Sequence, residues 1–389
     1  MKSRSAGPLA GLALALCMAG GIQAQTVTTP PALGSSTFVP IFEARKAASE
    51  GHGISLQRAA APASSTALAR PGEVRSDGGG AGPGGLPLWT FNAYSPRDGQ
   101  WHRGAMVGTD PFNNPGTARV PVHVVPVVLK LHTVAVSFDP NTLQITTQPG
   151  DTRIDPRAHD DTCLSAPNDV PLRLLHQSPL FQPASFTFGS VNVGSTQYID
   201  AFMRSNFYFA SASVPSSYHT LFAPVDNLDA LVLDVPAAAG LAITNGSFFG
   251  PPAFCAPLAI IDIAWFDQLI NDQVLPQLVA QGVAPSDIPM FALYNTVMGE
   301  PVSNLGSCCI LGYHSSGGFP TPTQTYSVVD FDTTGAFGPT ITNTVIGAHE
   351  LAELVNDPFG INLVPPWGGT GQVAGCQGNL EVGDPLTGN

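Results

Sequence analysis

The sequence predicts an α+β protein: a strand-rich N-terminal and middle part, then a C-terminal half with a mixed sheet and two main helices. Three observations lead there. The stretch ARVPVHVVPVVLKLHTVAVSF (Ala118 to Phe138) is dominated by Val and Leu and holds two prolines, which favours strand over helix. Charged residues make up 11% of 389, against about 25% in ordinary domains, while Gly (41) and Pro (37) are abundant, as in loop- and strand-rich secreted proteins. Two later stretches, LAIIDIAWFDQLINDQVLPQLVAQG and TVIGAHELAELVNDP, read as helices.

Taken in order, MKSRSAGPLAGLALALCMAGGIQAQ has a basic start, an apolar run from about Ala6 to Ile22 and a small residue, Ala24, suited to cleavage. Residues 1–24 are expected to be a secretory signal peptide. The run is broken by Pro8 and several glycines, whereas a spanning helix needs about 20 apolar residues. No transmembrane segment is therefore expected after cleavage, and the protein is expected to be secreted or periplasmic. Residues 25–87, ending in SDGGGAGPGG, have the composition of a flexible leader. A strand-rich region, 88–227, follows. A short helix is expected within it at TQYIDAFMRSNFY, where Ile199, Phe202 and Met203 are helically spaced and Asp200 and Arg204 lie four apart.

The region 228–389 opens with LDALVLDVP, read as a buried strand. A long amphipathic helix from Leu258, kinked near Pro276, comes next, followed by the strand IPMFALYNTVMG. CCILGYHSS and QTYSVVDFD are two further strands. The last helix starts near Thr342 or Thr344, either of which can cap it, and stops at Asn356-Asp357-Pro358. No internal repeat is visible.

A net charge of −13 and a pI near 4.9, with no Lys/Arg cluster, exclude a nucleic-acid partner. Signal cleavage leaves Cys163, Cys255, Cys308, Cys309 and Cys376 in an oxidising compartment, where disulfides are expected. The odd number predicts one leftover thiol. As strand neighbours, Cys308 and Cys309 point to opposite faces, so at least one is expected to reach a distant partner. Without a C-x-x-C pair, a cysteine-based zinc cluster is not expected.

The chemistry concentrates on the last helix. His349 and Glu353 lie four apart, one turn from each other on one face, the spacing at which two side chains grip one ion. Val345, Ile346, Ala348, Leu351, Ala352, Leu354 and Val355 make the rest apolar, so carboxylates buried there need a partner, a proton or a cation. After Glu73 the chain uses only Glu300, Glu350, Glu353 and Glu381. The nearest physical template is the H-E-x-x-H helix of zinc peptidases, with Glu353 in place of the second histidine. The C-terminal GCQGNLEVGDPLTGN offers Glu381 or Asp384 as the third ligand. Glu381 is preferred, because the Gly383-Asp384-Pro385 turn already accounts for Asp384. Glu350 is then free as general base for water. One divalent metal is expected, zinc first, with Mn, Fe or Ca admissible because carboxylates make the ligand set hard.

Strand, long helix, strands, then ligand-bearing helix is also the order of the catalytic half of zincin metallopeptidases, so the C-terminal half is read as zincin-like. The blocks CCILGYHSS, GAHELAELVNDP and GCQGNLEVGDP resemble those of a group of secreted bacterial proteins with an H-E-x-x-E helix. More remotely they are similar to the plant phosphate-induced, EXORDIUM-type secreted proteins. The resemblance covers roughly Leu228 to Asn389 and departs from the plant pattern at CCIL, which replaces a single Cys-Gly. It implies an extracellular protein and points to His314, His349, Glu350, Glu353, Glu381 and Asp384.

Other candidates are weaker. His314 and Tyr313 in GYHSS are candidates for stabilising developing charge, and His314 for ligation. His123 and His132 are nine apart in a strand and face opposite sides. DTRIDPRAHDDTC clusters Asp151, Asp155, Asp160 and Asp161 without the spacing of a calcium loop, and reads as a solvated loop pinned by Cys163. No G-x-S-x-G elbow or phosphate cradle is present. The expected function is a secreted metal-dependent hydrolase, peptidase-like, acting on an extracellular peptide or a small ester or amide. The alternative is a non-catalytic extracellular binding or signalling protein with a structural metal or none. A closed coordination shell marks the second and an open one the first.

Overall fold

One strand organises the sheet. In the computed structural model β4 (Thr117–Asp139) runs for 23 residues, and its Val and Leu side chains are buried along most of its length. The structure describes residues 74–81, 85–159, 163–164, 169–188, 191–207, 217–244, 254–317, 324–338 and 341–386. The expected signal peptide and most of the expected leader lie outside them. The end of that leader forms β1 (Val74–Ala81), paired antiparallel with β2 (Pro87–Ser95), which pairs with β3 (Gln100–Val107). Backbone pairing needs no side chains, so a Gly-rich segment that reads as linker still adds a strand.

The first half of β4 lies parallel to β8 (His219–Val225) and to β12 (Ile288–Tyr294). Its second half pairs antiparallel with β5 (Gln144–Ile154) and parallel with β9 (Leu231–Val235) and β10 (Gly240–Ile243). Beyond β12 the sheet continues through parallel β15 (Gln324–Phe331) to antiparallel β14 (Gly312–Gly317). On the other flank stand β11 (Leu258–Asp262) and β13 (Thr296–Gly299), and β6 (Ala184–Phe188) pairs antiparallel with β7 (Val191–Thr196) in a separate hairpin. The sheet is thus mixed, and strands from either side of residue 228 share it. β12 and β15 are buried at every position, as strands covered on both faces must be.

Five helices accompany it among the described residues: α1 (Pro171–Gln177), α2 (Tyr198–Asn206), α3 (Ile263–Leu269), α4 (Leu275–Ala280) and α5 (Val345–Asn356). Two expectations need correcting here. The long helix does not start at Leu258: Leu258–Asp262 is a buried strand, and the helix begins at Ile263 with Asp262 Oδ1 accepting from Trp265 N at 2.8 Å. Where the kink near Pro276 is expected, a π-helical stretch, Ile270–Val274, precedes the proline. Proline lacks an N–H and crowds the carbonyl four residues back, and the wider turn accommodates both. IPMFALYNTVMG is divided by Asn295, whose φ of 45° turns the chain between β12 and β13.

The cysteine expectations also change. Cys308 and Cys309 lie outside any strand and are bonded to each other, so neither reaches a distant partner. Cys163 bonds Cys255, and no described cysteine is free. No described helix is long and apolar enough to cross a membrane.

Helix α5 is built from good helix formers, with Ala, Leu and Glu filling its middle. Thr344 precedes it but makes no side-chain cap, contrary to expectation. It stops at Asp357, which precedes Pro358 and adopts φ −140°, as residues before proline do. The helix is buried on nearly every side: it packs on β14 and β15, with α2 and β3 beyond. Close approach to the sheet depends on Gly312, where an added Cβ would lie 2.7 Å from Glu350 Cγ and 2.9 Å from the Val328 carbonyl. We expect Gly312→Ala to lower the urea midpoint by the equivalent of about 1–3 kcal/mol, the usual cost of overpacking. An unchanged midpoint would show that α5 can move off the sheet freely.

Candidate metal centre

Strand alternation decides which side chains reach α5. Gly312, His314 and Ser316 of β14 pair opposite Val329, Ser327 and Thr325 of β15, and this set faces the helix. Tyr313 and Tyr326 face the other way, toward α3, where the Tyr326 hydroxyl donates to Asp267 and Asn271 Nδ2 donates back to it at 3.0 Å. Tyr313 therefore belongs to a different layer from its neighbour His314.

From α5, His349, Glu350 and Glu353 point into one buried space. Glu353 is central. Its Oε1 accepts from the backbone N–H of Gly383 (3.0 Å) and of Asp384 (3.2 Å), and lies 3.3 Å from His349 Nε2. Asp384 Oδ1 is 3.5 Å from the same His349 Nε2. On the sheet side His314 Nδ1 sits 3.9 Å from both Glu350 Oε2 and Glu353 Oε2, too far for a hydrogen bond. Two groups of ligand atoms result, each within 4.8 Å: His349, Glu353 and Asp384, and His314, Glu350 and Glu353.

The geometry thus brings Asp384 to the ligand atoms of His349 and Glu353, whereas the preferred Glu381 belongs to neither group. Glu381 is buried nearby at 6% exposure, with Oε2 lacking a hydrogen-bond partner. Two residues with no sequence signal support Asp384. They are Gln372, whose amide donates to Oδ1, and Gln377, which donates to Oδ2 at 2.8 Å. Both come from the hairpin of β16 (Leu363–Thr370) and β17 (Val373–Asn379), which sequence periodicity does not reveal. Asp357, also unsuspected, closes α5 by accepting from Ile361 N and Asn362 N.

Charge explains why these groups need company. Burial disfavours the His349 imidazolium, but Glu353 and Asp384 outweigh it and hold its pKa well above the usual range. His314 is likewise raised, with Glu350 and Glu353 overcoming burial. Burial pushes Glu350 and Asp384 up, and Glu381 well up, where the charges of Glu353 and Asp357 add to it. Glu353 alone of these is lowered, because His349 prevails over burial. Five carboxyl groups (Glu350, Glu353, Asp357, Glu381, Asp384) stand against two imidazoles (His314, His349), so full ionisation leaves an excess of three negative charges. A cation is the group that such a donor set fits, and buried His and Glu groups close enough to hold one are present.

The other candidates resolve into ordinary structure. His123 is buried between Asn227 and Asp287, and His132 is exposed between Asp151 and Asp234. Asp155 is paired with Arg153 and Arg157, while Asp160 and Asp161 lie outside the described residues. A cavity of about 580 Å³ lined by Val124, Leu172, Arg157, Arg173 and His176 lies apart from the candidate metal centre; Arg157 is paired with Asp155 and Arg173 with Asp169, and His176 Nε2 lies 3.2 Å from Asp226 Oδ1. Comparison with protein-family models, curated proteins and solved structures found no match.

Two outcomes follow. In a cation competition titration, Asp384→Ala should loosen binding more than Glu381→Ala; the reverse order would make Glu381 the ligand. Without metal, stability should fall as pH rises. Asp357, lifted by burial from 3.8 to about 6, contributes stability that is fully present below pH 3.8 and lost as pH passes about 6. Glu350, Asp384 and Glu381 are shifted up in the same way and Glu353 down, while the raised imidazoles of His314 and His349 keep their contribution up to pH 6.5 and lose it only above. Urea midpoints in chelator should therefore drop across that window, and a divalent cation should restore them, by about 2.7 kcal/mol at 100 times its Kd.

Proposed function

We propose that the protein is a secreted metal-dependent hydrolase, peptidase-like, with a zincin-like C-terminal half. The observation that carries the reading is the placement of His349, Glu353 and Asp384 around one point while Glu350, beside the first ligand, stays out of that trio. The resemblance of these blocks to those of secreted H-E-x-x-E bacterial proteins and EXORDIUM-type proteins supports an extracellular setting.

His349, Glu353 and Asp384 would hold the ion. Gly383 N and Asp384 N orient Glu353, and Gln372 and Gln377 orient Asp384. Bound there, a divalent cation supplies Lewis acidity, polarising a carbonyl and making water easier to deprotonate. Glu350 takes the proton; burial raises its pKa toward the working range of a general base. His314, whose Nδ1 lies 3.9 Å from Glu350 Oε2, would stabilise negative charge developing on the substrate oxygen. Zinc suits the site best, and Mn, Fe or Ca fits a carboxylate-rich set. The substrate class is an extracellular peptide or a small ester or amide.

Burial favours a second reading. Glu350 and Glu353 are each 1% exposed, as in a closed structural site, which would make the protein a binding or signalling module. Glu350→Gln separates the two. On the hydrolase reading the variant keeps its metal and loses about 10²–10⁴-fold in turnover of peptide or ester substrates. Turnover at the wild-type rate would remove Glu350 from the mechanism, and no turnover by metal-loaded wild type across peptides, esters and amides would leave the structural reading.

A further inference from the structure

The face of β14 and β15 that meets α5 carries more polar atoms than one ion explains. Both ring nitrogens of His314, Glu350 Oε2, Ser316 Oγ and Ser327 Oγ are buried without a hydrogen-bond partner. They belong together. His314 and Ser327 are directly opposite in the ladder, Ser316 is two residues on, and Glu350 faces them from the helix. The His314 side chain is fully buried and its Nδ1 is aimed between the Oε2 atoms of Glu350 and Glu353. A polar interior normally pairs such atoms with one another, and here His314 Nδ1 stands 3.9 Å from Glu350 Oε2 and from Glu353 Oε2 without a hydrogen bond.

We infer that the centre has a second cation position, held by His314, Glu350 and Glu353, with Glu353 shared between the two ions through its separate oxygens. Glu353 Oε1 faces His349, and Glu353 Oε2 faces His314. A nitrogen donor with two carboxylates suits the same divalent transition metals as the first position. Carboxylate-bridged pairs of ions are an established way to organise such a site. The inference rests on the metal reading of the first position and adds a regulatory consequence to it. An ion at the second position engages Glu350 as a ligand and withdraws it from water, so excess cation inhibits hydrolysis.

The test is to strip the purified protein with chelator, add Mn²⁺, count bound ions by equilibrium dialysis, and record the electron paramagnetic resonance spectrum. Two ions per wild-type chain with an exchange-coupled spectrum, falling to one uncoupled ion in His314→Gln, is the result expected. One ion in wild type, retained in His314→Gln and lost in His349→Ala, overturns the second position and leaves the first. No bound ion overturns both. Two ions that stay uncoupled in wild type place the extra one elsewhere on the surface and overturn the shared Glu353. If His314→Gln does not fold, the wild-type stoichiometry and coupling decide the matter.

Discussion

The carboxylate of Glu353, buried in the middle of an apolar helix, is the constraint on which the C-terminal half depends. Taking an ion of that size out of water costs several kcal/mol even after the protein relaxes. Two backbone N–H donors from Gly383 and Asp384 return about 1.5–3 kcal/mol each, since hydrogen bonds to charged groups are the stronger kind. That offsets one carboxylate. It does not offset Glu350, Glu381, Asp384 and Asp357 as well, and the two imidazoles are too few to neutralise the set. The remaining imbalance is what a divalent cation would remove.

The position of Glu353 in turn explains features that look unrelated. The chain after β17 must fold back so that residues 383 and 384 present their N–H groups to the helix, and Gly383 is required there. An added Cβ would sit 2.6 Å from His349 Nδ1. Gly371, at φ +56°, lets the hairpin turn pass close to Asp384, where a Cβ would meet its carbonyl oxygen. Asp384 is then fixed by Gln372 and Gln377 from the same hairpin. On the opposite side the absence of a side chain at Gly312 lets α5 approach the strand that carries His314.

Long-range pairing by β4 makes this assembly possible. β4 ties residues near 120 to β12, and β12 ties them to β15 and β14, so the antiparallel strand bearing His314 is placed by contacts made far away in sequence. The two sides of β15 then serve different chemistry. One carries the tyrosine and Asp267 layer, the other the histidine and glutamate layer, and one residue of register would exchange them.

The sequence by itself determined the pieces whose signals are local. The Val-rich run of β4, the helix carrying His349, Glu350 and Glu353, and its stop before Pro358 follow from composition and spacing, because propensity and periodicity act over a few residues. The i, i+4 spacing alone placed His349 and Glu353 on one face. Only the tertiary structure brought Asp384 to the ligand atoms of His349 and Glu353, because its position follows from the path of a hairpin whose strands are irregular and carry no alternating pattern. Gln372 and Gln377 were invisible for the same reason: an amide gains meaning only from the carboxylate it meets. The vicinal cysteines, the strand at Leu258–Asp262 and the π turn before Pro276 were likewise settled by neighbours and backbone geometry that no local pattern encodes.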